Sequence, residues 1–370
     1  MIDMVDQGVE PWVCLCYGNP IYPGGGDTGL GGGLVASEEA LQAWERYVDA
    51  FVRRYGEHVD EWELWNEPRT GLGKGAIQYA DFVIRTAEVI RKLQPNAEIL
   101  FAAGGSFHPI FAKEVLEHLK EEGKLDLVNA IIYHPYAENP DSRNDAAVKL
   151  REMAQSFAPH IGIRQGENGA PSVTGGFGAI SGGTWTETRQ AKWALRRLLG
   201  DLARDIPSSY FAICEMKYPD KINYKGLLAI NDDKTIDHAK QGYYAIQNLA
   251  SVFDNTLLRI QDLDFDVNTE NADRKIELSA YRGPSGGGLI TYWRANDKPG
   301  EKPDFESMKL QASNLKFEEP ILVDLLTGRA YKMPLDTCKP IGQGTMFENL
   351  PVYDSPLVVV EQNEIERSLE

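Results

Sequence analysis

Cysteine is scarce in this chain: four among 370 residues, at positions 14, 16, 214 and 338. They are too few and too irregularly spaced for a disulfide framework or a zinc site, so neither a metal nor a cofactor is expected. Cys14 and Cys16, two apart in an apolar run, read as buried thiols on one face of a strand. No apolar run of about 18 residues is present, which excludes a membrane-spanning helix. Positive charge is in deficit, with 38 Lys and Arg against 55 Asp and Glu and a net charge of −17. Such a surface repels phosphate backbones and anionic lipid, so neither nucleic acid nor a membrane is an expected partner, and a neutral substrate is easier to accept than a polyanion. No basic-then-apolar leader opens the chain, which leaves the compartment open between the cytoplasm and secretion with a lost N-terminus. Internal repeats at solenoid spacing and low-complexity linkers are missing as well.

What the chain does have is an alternation. Residues 8–17 form a continuous apolar run, of the kind buried on both faces of a parallel sheet. After a glycine-rich loop, Ser37 caps a helix through about Arg54, a strand runs up to Glu67, and a helix over 76–93 is closed by Pro95. Strands at 98–103, 127–134, 161–167 and 209–215 then alternate with helices at 109–122, 143–157, 187–204 and 238–253. This order predicts parallel βαβ units, and it counts about six strands where a closed barrel has eight. An open doubly wound sheet is the alternative, but no dinucleotide fingerprint follows any strand, which disfavours both it and a dehydrogenase. The loop over 24–33 lacks a Gly-Lys-Ser/Thr ending and reads as a cover for the barrel mouth rather than a phosphate cradle. From about Asn255 helical periodicity gives way to short strand-like runs separated by Gly, Pro and Asp, the pattern of a β-sandwich. The expected architecture is therefore an α/β barrel over 1–254 and a β-sandwich over 255–370, packed directly together.

The most informative stretch is residues 60–69, Asp-Glu-Trp-Glu-Leu-Trp-Asn-Glu-Pro-Arg. Alternating apolar and acidic residues make a short strand, and Asn66-Glu67-Pro68 ends it with a carboxylate where an α/β barrel places its chemistry. A second carboxylate, Glu167, follows the apolar run that begins at Ile161 and precedes a loop with Gly169 and Pro171. Two carboxylates at the C-terminal ends of parallel strands face each other across a barrel mouth. Glycoside hydrolysis needs such a pair, one to protonate the leaving oxygen and one to attack the anomeric carbon or activate water. A single glutamate there would be more simply read as a rim charge.

Trp65-Asn66-Glu67-Pro68 with a second Glu three strands later resembles glycoside hydrolase clan A, whose members are retaining enzymes on a (β/α)8 TIM-type barrel. Tyr17-Gly18-Asn19-Pro20-Ile21-Tyr22, His134-Pro135-Tyr136 and the run from Gln241 to Leu249 are similar to family 39 and its relatives, as are Asp324 to Gly328 and Asp354 to Leu357 in the sandwich. The resemblance implies a retaining glycosidase with Glu67 as acid/base at the end of barrel strand 4 and Glu167 as nucleophile at the end of strand 7. It further implies that Asn66 bonds the sugar 2-hydroxyl and that Tyr136 orients the nucleophile. The barrel is incomplete at its N-terminus by that alignment, because barrel strands 1 and 2, with an arginine many clan members supply near the nucleophile, have no counterpart. Either six strands close on themselves, another chain covers the gap, as in a homo-oligomer, or the sequence is part of a longer one.

His134 and His108 each follow a strand and are expected to bond the substrate or a carboxylate, against the plainer reading of a buried structural histidine. Trp185 reads equally as a stacking platform for a sugar and as loop packing. Glu215 and Lys217 close the last expected strand, to hold polar substrate groups or to pair on the rim. Trp62 and Trp65, three apart on a strand, are expected on opposite faces. The substrate class these residues suggest is a β-linked neutral glycoside. The competing reading from another class is a carbohydrate-binding or scaffold protein derived from such an enzyme, its catalysis lost.

Overall fold

The computed structural model describes residues 2–29, 33–295, 297–334 and 336–365. Residues 30–32 of the glycine-rich loop lie outside the described residues. The chain divides into two compact units, Met1–Pro135 with Asp145–Glu167, and Tyr136–Asn144 with Asn168–Glu370.

In the first unit a short helix, α1 (Ile2–Val5), precedes five strands: β1 (Trp12–Leu15), β2 (Glu61–Leu64), β3 (Glu98–Ala102), β4 (Ala130–Tyr133) and β5 (Gly162–Gln165). They pair in sequence order, all parallel. Between them run α2 (Glu38–Tyr55), α3 (Lys74–Leu93), α4 (Pro109–Glu121) and α5 (Asn144–Phe157). The start of α2 follows from its capping chemistry. The Ser37 hydroxyl accepts the Ala40 N–H at 3.2 Å at the start of α2, with Glu38 and Glu39 in the first turn and Arg53 and Arg54 in the last. Ala40, Trp44, Val48 and Val52 then recur every four residues and are buried as one stripe.

The sheet is strongly curled. Five flat strands would put their edges about 19 Å apart, yet the Arg164 guanidinium of β5 lies 4.8 Å from the Trp12 ring centroid of β1 and also pairs with Glu61 of β2. These side chains fill the concave face. The convex face carries the helices: Trp62, fully buried, meets Phe51 of α2 and donates its indole N–H to Gln94 at 2.8 Å.

The expected sixth strand, 209–215, is absent. Its backbone is engaged elsewhere: Leu227 and Leu228 donate to the carbonyls of Ala212 and Ile213, and Glu215 donates to Leu228, leaving one isolated bridge at Cys214–Leu228. Those groups are therefore taken by the segment at 227–228 and not by β5. The helix expected from 238 starts later as well, because His238 belongs to a hairpin strand.

The second unit holds α6 (Glu187–Leu202), the hairpins β6 (Met216–Lys217) with β7 (Ile222–Asn223) and β8 (Leu228–Ile230) with β9 (Ile236–Ala239), and then α7 (Gln241–Val252). Beyond them β10 (Leu258–Ile260), β12 (Ile276–Arg282), β13 (Gly288–Arg294), β19 (Leu357–Glu361), β15 (Pro320–Asp324) and β16 (Arg329–Lys332) form a six-stranded antiparallel sheet. A second sheet contains β11 (Phe265–Thr269), β14 (Glu306–Ala312), β18 (Gly344–Val352) and β17 (Cys338–Ile341). Ile290 and Tyr292 of the first share a core with Leu310 and Phe347 of the second. The other face of the six-stranded sheet packs Trp293 and Val358 against Leu195 and Leu199 of α6 and Ala245 of α7. The protein is thus α/β with several sheets.

One buried hydroxyl ties the end of β2 in place. Tyr79 of α3 donates to the Leu64 carbonyl at 2.5 Å and accepts the Ala102 N–H at 2.8 Å. Tyr79→Phe leaves both backbone groups buried without that partner and is expected to cost about 1–3 kcal/mol in urea unfolding. Unchanged stability would show that the hydroxyl is dispensable.

Candidate functional site

The site is built where β2, β4 and β5 give way to loops. After Leu64 the backbone leaves the strand through two non-glycine residues with positive φ, Trp65 at 71° and Glu67 at 48°. Left-handed backbone is uncommon for such side chains and clusters at functional sites. It also breaks the alternation expected of Trp62 and Trp65. Both pack toward the helices, Trp65 against Trp44 of α2 and Phe82 of α3, which corrects the expectation of opposite faces.

His134, one residue past β4, joins the two glutamates. Its Nδ1 is 2.9 Å from Glu67 Oε1 and 4.0 Å from Glu167 Oε2. These two carboxylate oxygens are therefore at most 6.9 Å apart, the sum of those distances. The histidine is held by its own backbone, whose N–H donates to Ser106 O at 2.9 Å and whose carbonyl accepts the Ser106 hydroxyl at 2.6 Å. Gly166 lets β5 pass close by: a Cβ there would sit 2.3 Å from Ile132 Cδ1 and 3.5 Å from His134 Nε2.

The electrostatics follow from burial and proximity. Burial drags the pKa of His134 down, but the hydrogen bond to Glu67 and the charges of Glu167, Glu63 and Glu67 outweigh it, and the net shift is upward from 6.5. For Glu67, burial pushes up, while the bonds and charges of His134 and Arg69 bring the net value below 4.5. Arg69 reaches Glu67 Oε2 at 3.2 Å from an exposed position. Both shifts favour the charged pair, imidazolium with carboxylate.

Sequence reasoning missed a third carboxyl. Glu63, two residues beyond Glu61 on the concave face of β2, is buried, accepts the Trp12 indole N–H at 3.1 Å, and has its pKa raised to about 7 chiefly by desolvation. The period-2 pattern of Glu61 and Glu63 was the available signal. Tyr17 was also missed as a partner: its hydroxyl accepts the Asn66 side-chain N–H at 3.0 Å.

The remaining candidates occupy other settings. His108 is exposed, and its Nδ1 accepts the Phe111 N–H at 3.2 Å to cap α4. Tyr136 belongs to the second unit, where the Lys225 ammonium lies 5.5 Å from its ring centroid. Trp185 is buried beside Ala170 and Trp193 and donates its indole N–H to the Ile180 carbonyl, which is a packing role. Glu215, buried, accepts from Lys240 at 2.6 Å, while Lys217 pairs with Asp232 instead. Among the described residues no cluster of His, Cys, Asp and Glu could hold a metal ion.

No family model and no curated protein matches the chain in sequence. Solved structures do match in fold, and they are clan A glycoside hydrolases. A family 39 glycoside hydrolase from Bacteroides cellulosilyticus aligns with a TM-score of 0.65 at 19% identity over 97% of this chain and 69% of that one. A family 51 α-L-arabinofuranosidase from Thermotoga petrophila aligns at 0.57 and 13% identity, over 96% and 76%. An endo-β1,6-glucanase aligns at 0.51 and 13% identity, over 89% and 64%. The resemblance read from the Asn-Glu-Pro motif is thereby matched at the level of fold.

Removing Glu67's charge should release the proton from His134. In an NMR titration, with the His134 signal assigned through His134→Gln, the midpoint is expected above 6.5 and lower by about half a pH unit or more in Glu67→Gln. The stability from the pair is full between the ordinary values of 4.5 and 6.5, lost as pH falls through the Glu67 value and as it rises through the His134 value. An unshifted His134 midpoint would refute the coupling.

Proposed function

We propose that the protein is a retaining glycoside hydrolase that cleaves a β-linked neutral glycoside by double displacement, with Glu67 as acid/base and Glu167 as nucleophile. The observation that carries this reading is the pair of carboxylates gathered about His134, with oxygens no more than 6.9 Å apart. Retaining enzymes hold their carboxyls about 5–5.5 Å apart, a spacing for which this bound on Glu67 Oε1 and Glu167 Oε2 leaves room. The fold similarity supports a glycosidase scaffold. The net charge of −17 disfavours polyanionic sugars.

In this reading Glu167 attacks the anomeric carbon while the leaving oxygen takes its proton from Glu67. His134, 2.9 Å from Glu67, is the neighbour from which Glu67 would take that proton. Once Glu167 is esterified its charge is gone, and Glu67 is free to activate the water that releases the sugar. In the same reading Asn66, whose side chain donates to the Tyr17 hydroxyl, would bond the 2-hydroxyl, and Tyr136 would orient the nucleophile. Residues 1–254 would supply the barrel, incomplete at its N-terminus, and residues 255–370 the β-sandwich.

A second reading has one observation in its favour. A Glu67 held ionised by His134 and Arg69 cannot donate a proton, as expected of a carbohydrate-binding protein derived from such an enzyme. A panel of aryl β-glucosides, xylosides and galactosides separates the two. Turnover that falls about 10²–10⁴-fold in Glu67→Gln establishes the enzyme; sugar binding without turnover in the unaltered protein establishes the binding module.

A further inference from the structure

Outside the two-glutamate site, β1 carries a pair of thiols. Cys14 and Cys16 lie on one face of the chain, and their sulfurs are 3.6 Å apart. Residues i and i+2 of a strand have Cα atoms about 6.6 Å apart, within the roughly 4.4–6.8 Å that a disulfide spans. Cys16 lies one residue past the end of β1; the Leu15 carbonyl before it still accepts the Trp65 N–H at 3.1 Å, so the approach to a bond of about 2.05 Å falls to the Cys16 side chain and the chain that follows it.

Two further observations make the pair reactive rather than inert. Cys16 is half-buried and lines a cavity of about 440 Å³ with Tyr17, Trp44 and Tyr47, which gives a small oxidant an approach to this residue. The Cys14 S–H donates to Cys16, which brings the Cys16 thiol below its ordinary range against the opposing effects of burial and Glu63, while the same contact and burial push Cys14 up. One sulfur is poised to attack and its neighbour to resolve. Cys214 and Cys338 are also free thiols.

We propose that Cys14 and Cys16 are an oxidation site that closes to an internal disulfide on meeting a hydroperoxide and reopens under a thiol reductant. The Cys16 thiolate attacks the peroxide and breaks its O–O bond, forming the sulfenic acid and releasing hydroxide or alkoxide, so that sulfur is oxidised by two electrons and the peroxide reduced. Cys14 sulfur then attacks Cys16 sulfur, the sulfenic hydroxyl departs, and the Cys14 proton leaves with it as water. With hydrogen peroxide the sum is two thiols and one peroxide giving one disulfide and two waters. The next residue, Tyr17, accepts the Asn66 side-chain N–H at 3.0 Å, one position before Glu67.

The test needs no substrate. The whole protein is treated with a small excess of hydrogen peroxide, quenched and denatured, its thiols are counted, and its intact mass and non-reduced peptides are measured. Loss of two of the four thiols, a mass lower by about 2 Da, and a map that places the bond between residues 14 and 16 are expected, all reversed by dithiothreitol. Cys14→Ser should halt at the Cys16 sulfenic acid, trapped by dimedone, and Cys16→Ser should lose both signals. Four surviving thiols, a bond to Cys214 or Cys338, or a disulfide between chains would overturn the proposal. The peptide map of the unaltered protein decides even if the variants fold poorly.

Discussion

The contact on which the site depends is the 2.9 Å bond between His134 Nδ1 and Glu67 Oε1. It brings an imidazole from the end of β4 to a carboxylate from the end of β2, with Glu167 from the end of β5 at 4.0 Å. Burial alone would disfavour a proton on His134, and the carboxylates around it outweigh that and shift its pKa upward. The same balance keeps Glu67 ionised.

Beneath this pair the concave face of the sheet is unusually polar. Arg164, Glu61, Glu63 and Trp12 occupy positions that a parallel sheet ordinarily fills with Val, Ile and Leu. Trp12 donates to Glu63, and Arg164 pairs with Glu61 and lies over the Trp12 ring, so these side chains meet across the curl, while Glu63 Oε1 and Arg164 Nε stay buried without a hydrogen-bond partner. The convex face shows the opposite chemistry: Trp44, Trp62, Trp65 and Phe82 weld the strand ends to α2 and α3. The left-handed turn at Trp65 and Glu67 is anchored by that aromatic packing, and by Tyr79 at Leu64.

Much of this was legible in the sequence because it rests on local signals. Ser37 announced α2, Pro109 announced α4, and Asn66-Glu67-Pro68 announced the end of β2. The expected strand over 209–215 failed because its apolar residues say nothing of which backbone they pair with, and Leu227 and Leu228 claimed it. Trp185 was ambiguous for a similar reason: an indole in a loop is equally able to meet a ligand or a core, and here it meets Trp193. The coupling of His134 to both glutamates was not legible beyond a strand-end position, since it arises from three chain segments far apart in sequence. Glu63 was passed over as one acid among many, although its alternation with Glu61 placed it on the concave face.

The most direct measurement is mass spectrometry of the protein after incubation with an activated 2-deoxy-2-fluoro β-glycoside, which slows release of a glycosyl-enzyme. A retaining reaction at this site should leave one sugar esterified to Glu167, absent from Glu167→Gln and retained in Glu67→Gln when the leaving group needs no proton. A sugar on another residue, or no adduct with a glycoside that the protein turns over, would contradict Glu167 as nucleophile.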